Sequence, residues 1–108
     1  MEKYKELINE ALNASPGRIS EIAVELSGYY ARLADELENV LVFKADRWLE
    51  LRGKDHIKSD TMASRLWDAT TEGKQEIQLR SQTKYLEKFI SSLKLRLRVM
   101  EGESRNLY

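Results

Sequence analysis

At 108 residues, with one Pro, five Gly, no Cys and a third of its residues charged, the chain fits one mostly helical domain with charged outer faces. The absence of cysteine excludes disulfides, thiolate metal sites and thiol nucleophiles, and it fits a reducing compartment. Net charge is zero by cancellation: residues 1–51 carry 6 Lys/Arg against 10 Asp/Glu, and residues 52–108 carry 12 against 8. Such asymmetry between halves fits nucleic-acid contact or head-to-tail self-association, and equally two opposite-sign helices lying side by side.

The first nine residues are polar and charged, without the apolar segment and small-residue cleavage site of a secretory signal. No stretch approaches 18 consecutive apolar residues. The expectation is a cytoplasmic protein (host cytoplasm if viral) with no membrane partner.

A short amphipathic helix is expected over 2–13, with Tyr4, Leu7, Ile8, Ala11 and Leu12 on its apolar side. Ser15-Pro16 then opens a second helix. Serine can cap it, and proline is tolerated at the first helical position because its missing N–H would be unpaired anyway. This second helix, over 16–52, dominates the sequence. Ile19, Ile22, Leu26, Tyr30, Leu33, Leu37, Val40/Leu41, Trp48 and Leu51 recur at three- and four-residue steps, and only Lys44 interrupts them. At about 100° per residue they share one face. A helix of that length spans about 50 Å, against a radius of gyration of about 13 Å for a compact chain of this size. The expectation is therefore a long, thin molecule whose seam needs a partner helix.

Gly53, in the left-handed conformation common just past a helix end, is expected to stop this helix. Residues 53–59 form a short polar connection, and Ser59, Asp60 or Thr61 caps a helical arm over 60–102. So short a loop implies antiparallel neighbours. Within the arm, Met62, Leu66, Ala69/Thr70, Gly73 and Ile77 share one face. From Leu79 onward the apolar set shifts to Leu86, Phe89/Ile90, Leu93, Leu97 and Met100, on roughly the opposite side. Either the helix breaks at Gly73, or a kinked or continuous helix serves two neighbours, the latter requiring a second subunit; the continuous or kinked form is preferred. The close, residues 102–108, is polar apart from Leu107 and Tyr108, which leaves it frayed or docked through those two.

Enzyme motifs are scarce. One histidine, His56, cannot build paired zinc or di-metal spacings, and no glycine-rich phosphate loop occurs. His56 beside Asp55 and Asp60 reads as a solvated loop histidine, and Glu72 and Glu76, four apart, read as a solvated helix face. No catalytic residue, metal or cofactor is expected. The better candidate is a basic face: residues 74–98 hold seven Lys/Arg and two Glu, and Arg80, Lys84, Lys88, Lys94 and Arg98 gather opposite the apolar stripe. Such cations can track a phosphate backbone and release counterions. Trp67 and Tyr85, off the stripe, could supply the stacking platforms that single strands need. A second candidate is the hairpin tip, with Trp48, Arg52, Lys54, His56 and Lys58. There Trp48 falls on the apolar stripe and reads first as packing.

Arg47-Trp48-Leu49, Ile57-Lys58 and Met62, with the ending Arg98-Val99-Met100-Glu101-Gly102, resemble the corresponding regions of the recombination mediator proteins of tailed phages. Members of that family are small, mostly helical and oligomeric, and they bind single-stranded DNA to help load a recombinase. The resemblance implies contacts through Lys54 and Lys58; charge pattern alone implies Arg80, Lys84 and Lys88.

The expected fold is all-α: a long antiparallel helical hairpin with a short N-terminal helix, assembling into an oligomeric, coiled-coil-like bundle. Ile22, Leu26, Tyr30, Leu33, Leu37, Trp48, Leu86, Ile90, Leu93 and Leu97 are its expected oligomer seam. Off-stripe Val24, Val42, Phe43, Ile77 and Leu95 are left for further contacts. The expected function is a non-enzymatic accessory protein of phage-type DNA metabolism, binding itself, single-stranded nucleic acid and a recombinase. The alternative is an adaptor bundle that binds only other proteins.

Overall fold

The computed structural model describes residues 3–54 and 56–106, and the side chains of 4–54 and 56–102. Four helices follow in order among them: α1 (Lys3–Ala11), α2 (Pro16–Arg52), α3 (Asp60–Ala69) and α4 (Thr71–Asn106). The chain divides into two compact units, one built from the stretches up to Arg32 and from Lys84 onward, the other from Leu33–Thr83. Within each, the α2 and α4 stretches pack antiparallel; over its full length α2 carries two more acids than bases, and α4 three more bases than acids.

In the first unit α1 stops earlier than expected. Leu12 and Asn13 form a turn, with their N–H groups donating to the Asn9 and Glu10 carbonyls, and Leu12 is exposed. Arg96 of α4 donates to the Ala11 and Leu12 carbonyls at 3.0 and 3.3 Å, satisfying acceptors that a helix end leaves unpaired. Ser15 starts α2 as expected: its hydroxyl accepts from the Arg18 N–H and its carbonyl from Ile19. Arg18 pairs with Glu10 through two guanidinium nitrogens and also reaches Glu21 and Glu25, fastening α1 to the first turns of α2. Tyr4, Ala11, Ile19, Ile22, Leu26, Leu86, Ile90 and Leu93 form the core of this unit.

In the second unit Gly53 does not take the left-handed conformation; no described residue has a positive φ. The turn instead closes through Gly53 and Lys54 N–H groups on the Leu49 and Leu51 carbonyls. The connection is polar except for Ile57, which is buried, and Arg52 ties it down by bonding the Ile57 carbonyl and Asp60. Ser59, among the three expected candidates, is the cap of α3: its hydroxyl accepts from Met62 N–H at 3.1 Å.

The expected single arm over 60–102 is two helices, and the break falls at Thr70 rather than Gly73. Thr70 has extended geometry (φ −74°, ψ 162°), and its N–H and hydroxyl both donate to the Trp67 carbonyl. The same hydroxyl accepts from Gly73 N–H at 2.9 Å, so one side chain closes α3 and opens α4. Gly73 lies inside α4, pressed against the end of α3. A Cβ there would stand 1.9 Å from the Trp67 carbonyl oxygen. With two helices the phase shift resolves without a second subunit. The buried residues of α3 are Ala63 and Trp67, while Met62, Leu66 and Ile77 from the expected face are exposed. Trp67 packs with Val40 and Leu79, and half-buried Leu33, Leu37 and Leu51 surround them.

Candidate functional site

Two charged assemblies stand out; helical spacing groups the members of the second, but not those of the first. The first centres on Glu76, expected on a solvated face but only 6% exposed. One of its carboxylate oxygens accepts from Trp67 Nε1 and from Lys44 Nζ, each at 2.9 Å; the other accepts from Arg80 Nε at 2.7 Å. Burial by itself would raise the Glu76 pKa, but the hydrogen bonds from Lys44, Arg80 and Trp67 outweigh it and hold the group at about 2. Lys44 also stands 5.8 Å from the Trp67 ring centroid, and Phe43 packs on the same indole. The residue that interrupts the α2 stripe is thus the counter-ion of a buried acid. Every polar side-chain atom buried among the described residues has a partner, and so satisfied a cluster fixes helix positions rather than presenting reactive groups.

This cluster changes the standing of two candidates. Trp67, expected as a stacking platform, is 1% exposed and belongs to the core. Arg80, expected on the free basic face, is committed to Glu76, although half its side chain meets solvent.

The second assembly lies on α4 within the first unit. Lys84, Lys88, Lys94 and Arg98 are exposed and form no ion pair among the described residues. Lys84, Lys88 and Arg98 face away from Leu86, Ile90 and Leu93, which are buried. Lys94 edges a shallow groove with Ser27, Tyr30, Glu87, Ile90 and Ser91. Because Glu76 is neutralised inside the fold, Glu87 is the one acid of the 74–98 stretch left at the surface. Tyr85 is 52% exposed beside Lys84, its ring stacked on Phe89 at 6.4 Å between centroids. Leu95 and Val99 open to solvent on the Lys88 side of the helix.

At the connection, Lys54 and Lys58 are exposed, but Arg47, Glu50 and Glu72 share the groove that Lys54 lines. His56 is exposed as expected, while Asp55 lies outside the described residues, as do Leu107 and Tyr108. No group of three or more His, Asp or Glu among the described residues could hold a metal.

The expected seam closes largely within one chain. Ile22, Leu26, Leu86, Ile90 and Leu93 are buried by their intramolecular neighbours, whereas Tyr30, Leu33, Leu37, Trp48 and Leu97 are half-buried. The larger open apolar surface lies off the stripe, at Val24, Val42, Leu49, Ile77 and Leu95. No helix among the described residues is long and apolar enough to cross a membrane. Comparison with protein-family models, curated proteins and solved structures finds no match to this chain.

Proposed function

We propose that this chain is a non-enzymatic, oligomeric accessory protein that binds single-stranded nucleic acid through α4. The observation that carries the reading is the surface of residues 84–98: Lys84, Lys88, Lys94 and Arg98 are exposed without ion partners among the described residues, Arg96 beside them is spent on the Ala11 and Leu12 carbonyls, one acid is exposed, and Tyr85 is open. Phosphates would meet Lys84, Lys88, Lys94 and Arg98, and a base would stack on Tyr85, the remaining platform now that Trp67 is buried. The phage recombination setting rests on the motif resemblance around Arg47-Trp48-Leu49 and Arg98-Val99-Met100.

Fluorescence anisotropy with a labelled oligothymidine tests the reading. Wild type should bind at 50 mM salt, and Lys84→Glu with Lys88→Glu should lose at least tenfold in affinity with helicity unchanged. Lys54→Glu with Lys58→Glu should change little; a larger loss there would move the contact to the connection. Absence of wild-type binding would favour a second reading, an adaptor that binds only proteins. That reading draws on the apolar side chains left open at Val42, Leu49 and Leu95.

A further inference from the structure

Within the second unit, α2 carries an apolar strip that its own fold does not cover. Val42 and Leu49 are 65% and 67% exposed, Ala45 between them is open, and half-buried Leu41 and Trp48 complete a shallow groove with Lys44 at its rim. The strip is palindromic in character about Ala45. Large apolar side chains stand three and four residues away on each side, and exposed Glu38 and half-buried Arg52 stand seven residues away at opposite ends.

We propose that a second copy of this chain covers this strip, its α2 antiparallel to the first and the two-fold axis passing at Ala45. The proposal deepens the oligomeric part of the reading above and is independent of the nucleic-acid part. A two-fold contact must be self-complementary: if one residue meets another, the reverse contact follows. Antiparallel pairing about Ala45 sets Leu41 against the partner's Leu49, and Val42 against the partner's Trp48. The small alanines at the centre let the backbones approach. It also sets Glu38 against the partner's Arg52. Arg52 spends its Nε and Nη1 on Asp60 and the Ile57 carbonyl, leaving Nη2 outside those two bonds. A parallel arrangement in the same register would place Glu38 on Glu38 and Arg52 on Arg52, so charge selects the antiparallel one.

The chain has no cysteine, so a single introduced thiol reports the axis cleanly. Ala45→Cys should oxidise rapidly in air to a covalent dimer, because the axis brings the two residues within disulfide reach. Ser64→Cys, exposed on α3, should not. Light scattering should give wild type twice the 12.6 kDa chain mass or a higher even multiple. Val42→Glu with Leu49→Glu should halve that mass at unchanged helicity by circular dichroism. A wild-type mass of one chain overturns the proposal together with the oligomeric reading. An oligomer that Val42→Glu with Leu49→Glu leaves intact, with the Ala45→Cys variant no faster to cross-link than the Ser64→Cys variant, overturns this face alone and leaves that reading standing.

Discussion

Glu76 shows how a single residue can be misread from spacing alone. Four residues from Glu72 on a helix, it matches a solvated pattern, yet the fold buries it under Trp67, Lys44 and Arg80. Its folded-state pKa, about 2, lies below the ordinary 4.5. The stability it contributes is therefore fully present above about pH 4.5 and is lost as pH falls toward 2. The full shift corresponds to at most about 3 kcal/mol. Since Lys44 and Arg80 are partly solvated, about 1–2 kcal/mol is the expected size. Urea denaturation at pH 6 and pH 3 captures the larger part of it, and Glu76→Gln should flatten that difference. The variant should also lose about 1–2 kcal/mol at pH 6, because Lys44 is left without its counter-ion. An unchanged pH response in Glu76→Gln would place the acid sensitivity elsewhere.

Gly73 is the second decisive residue. The need for glycine there is steric: its φ is not positive, but a methyl group would collide with the backbone of α3. Gly73→Ala should destabilise by about 1–3 kcal/mol, although alanine is ordinarily the better helix former. A melting temperature equal to or above wild type would contradict the close approach of α3 and α4.

At the scale of elements, most of the architecture was legible. The bounds of α2 follow from Ser15-Pro16 at one end and Arg52-Gly53 at the other, and its stripe is the face that packs. The break between α3 and α4 was weighed only at Gly73, a weak breaker, whereas the stop comes from a threonine hydroxyl whose capping role depends on the backbone it bonds. The signal was present: a threonine with Glu72 two residues on is a serviceable helix start. Thr70→Val should accordingly cost about 1 kcal/mol while Thr70→Ser costs a few tenths, read by thermal melts.

The apolar face of α3 was misassigned for the same reason. Treating 60–102 as one helix put Met62, Leu66 and Ile77 in phase, whereas α3 buries Ala63 and Trp67, the latter against Val40 and Leu79. The joining of Lys44 to Glu76 was beyond local pattern altogether, because it links residues brought together by tertiary packing. Of the candidate interface, the exposed positions of Lys84, Lys88, Lys94 and Arg98 were legible from helical spacing. The pairing of Arg80 and the burial of Trp67 were not.

For the whole molecule, zero net charge divides between the units: Lys and Arg exceed Asp and Glu by two in the first and fall short by two in the second. Long-range attraction for a polyanion is therefore weak, and binding must come from short-range contacts along α4, which salt will oppose steeply. The slope of log affinity against log salt counts those contacts, at about 0.7 per neutralised phosphate for a single strand. Titrating a labelled oligothymidine between 50 and 300 mM salt is the most direct measurement of the account. Four phosphate contacts predict a wild-type slope of about −3 and, for Lys84→Glu with Lys88→Glu, a slope shallower by at least about 1.4. Wild-type binding with no salt dependence, or the same slope in both proteins, would contradict the assignment of α4 as the phosphate-binding face.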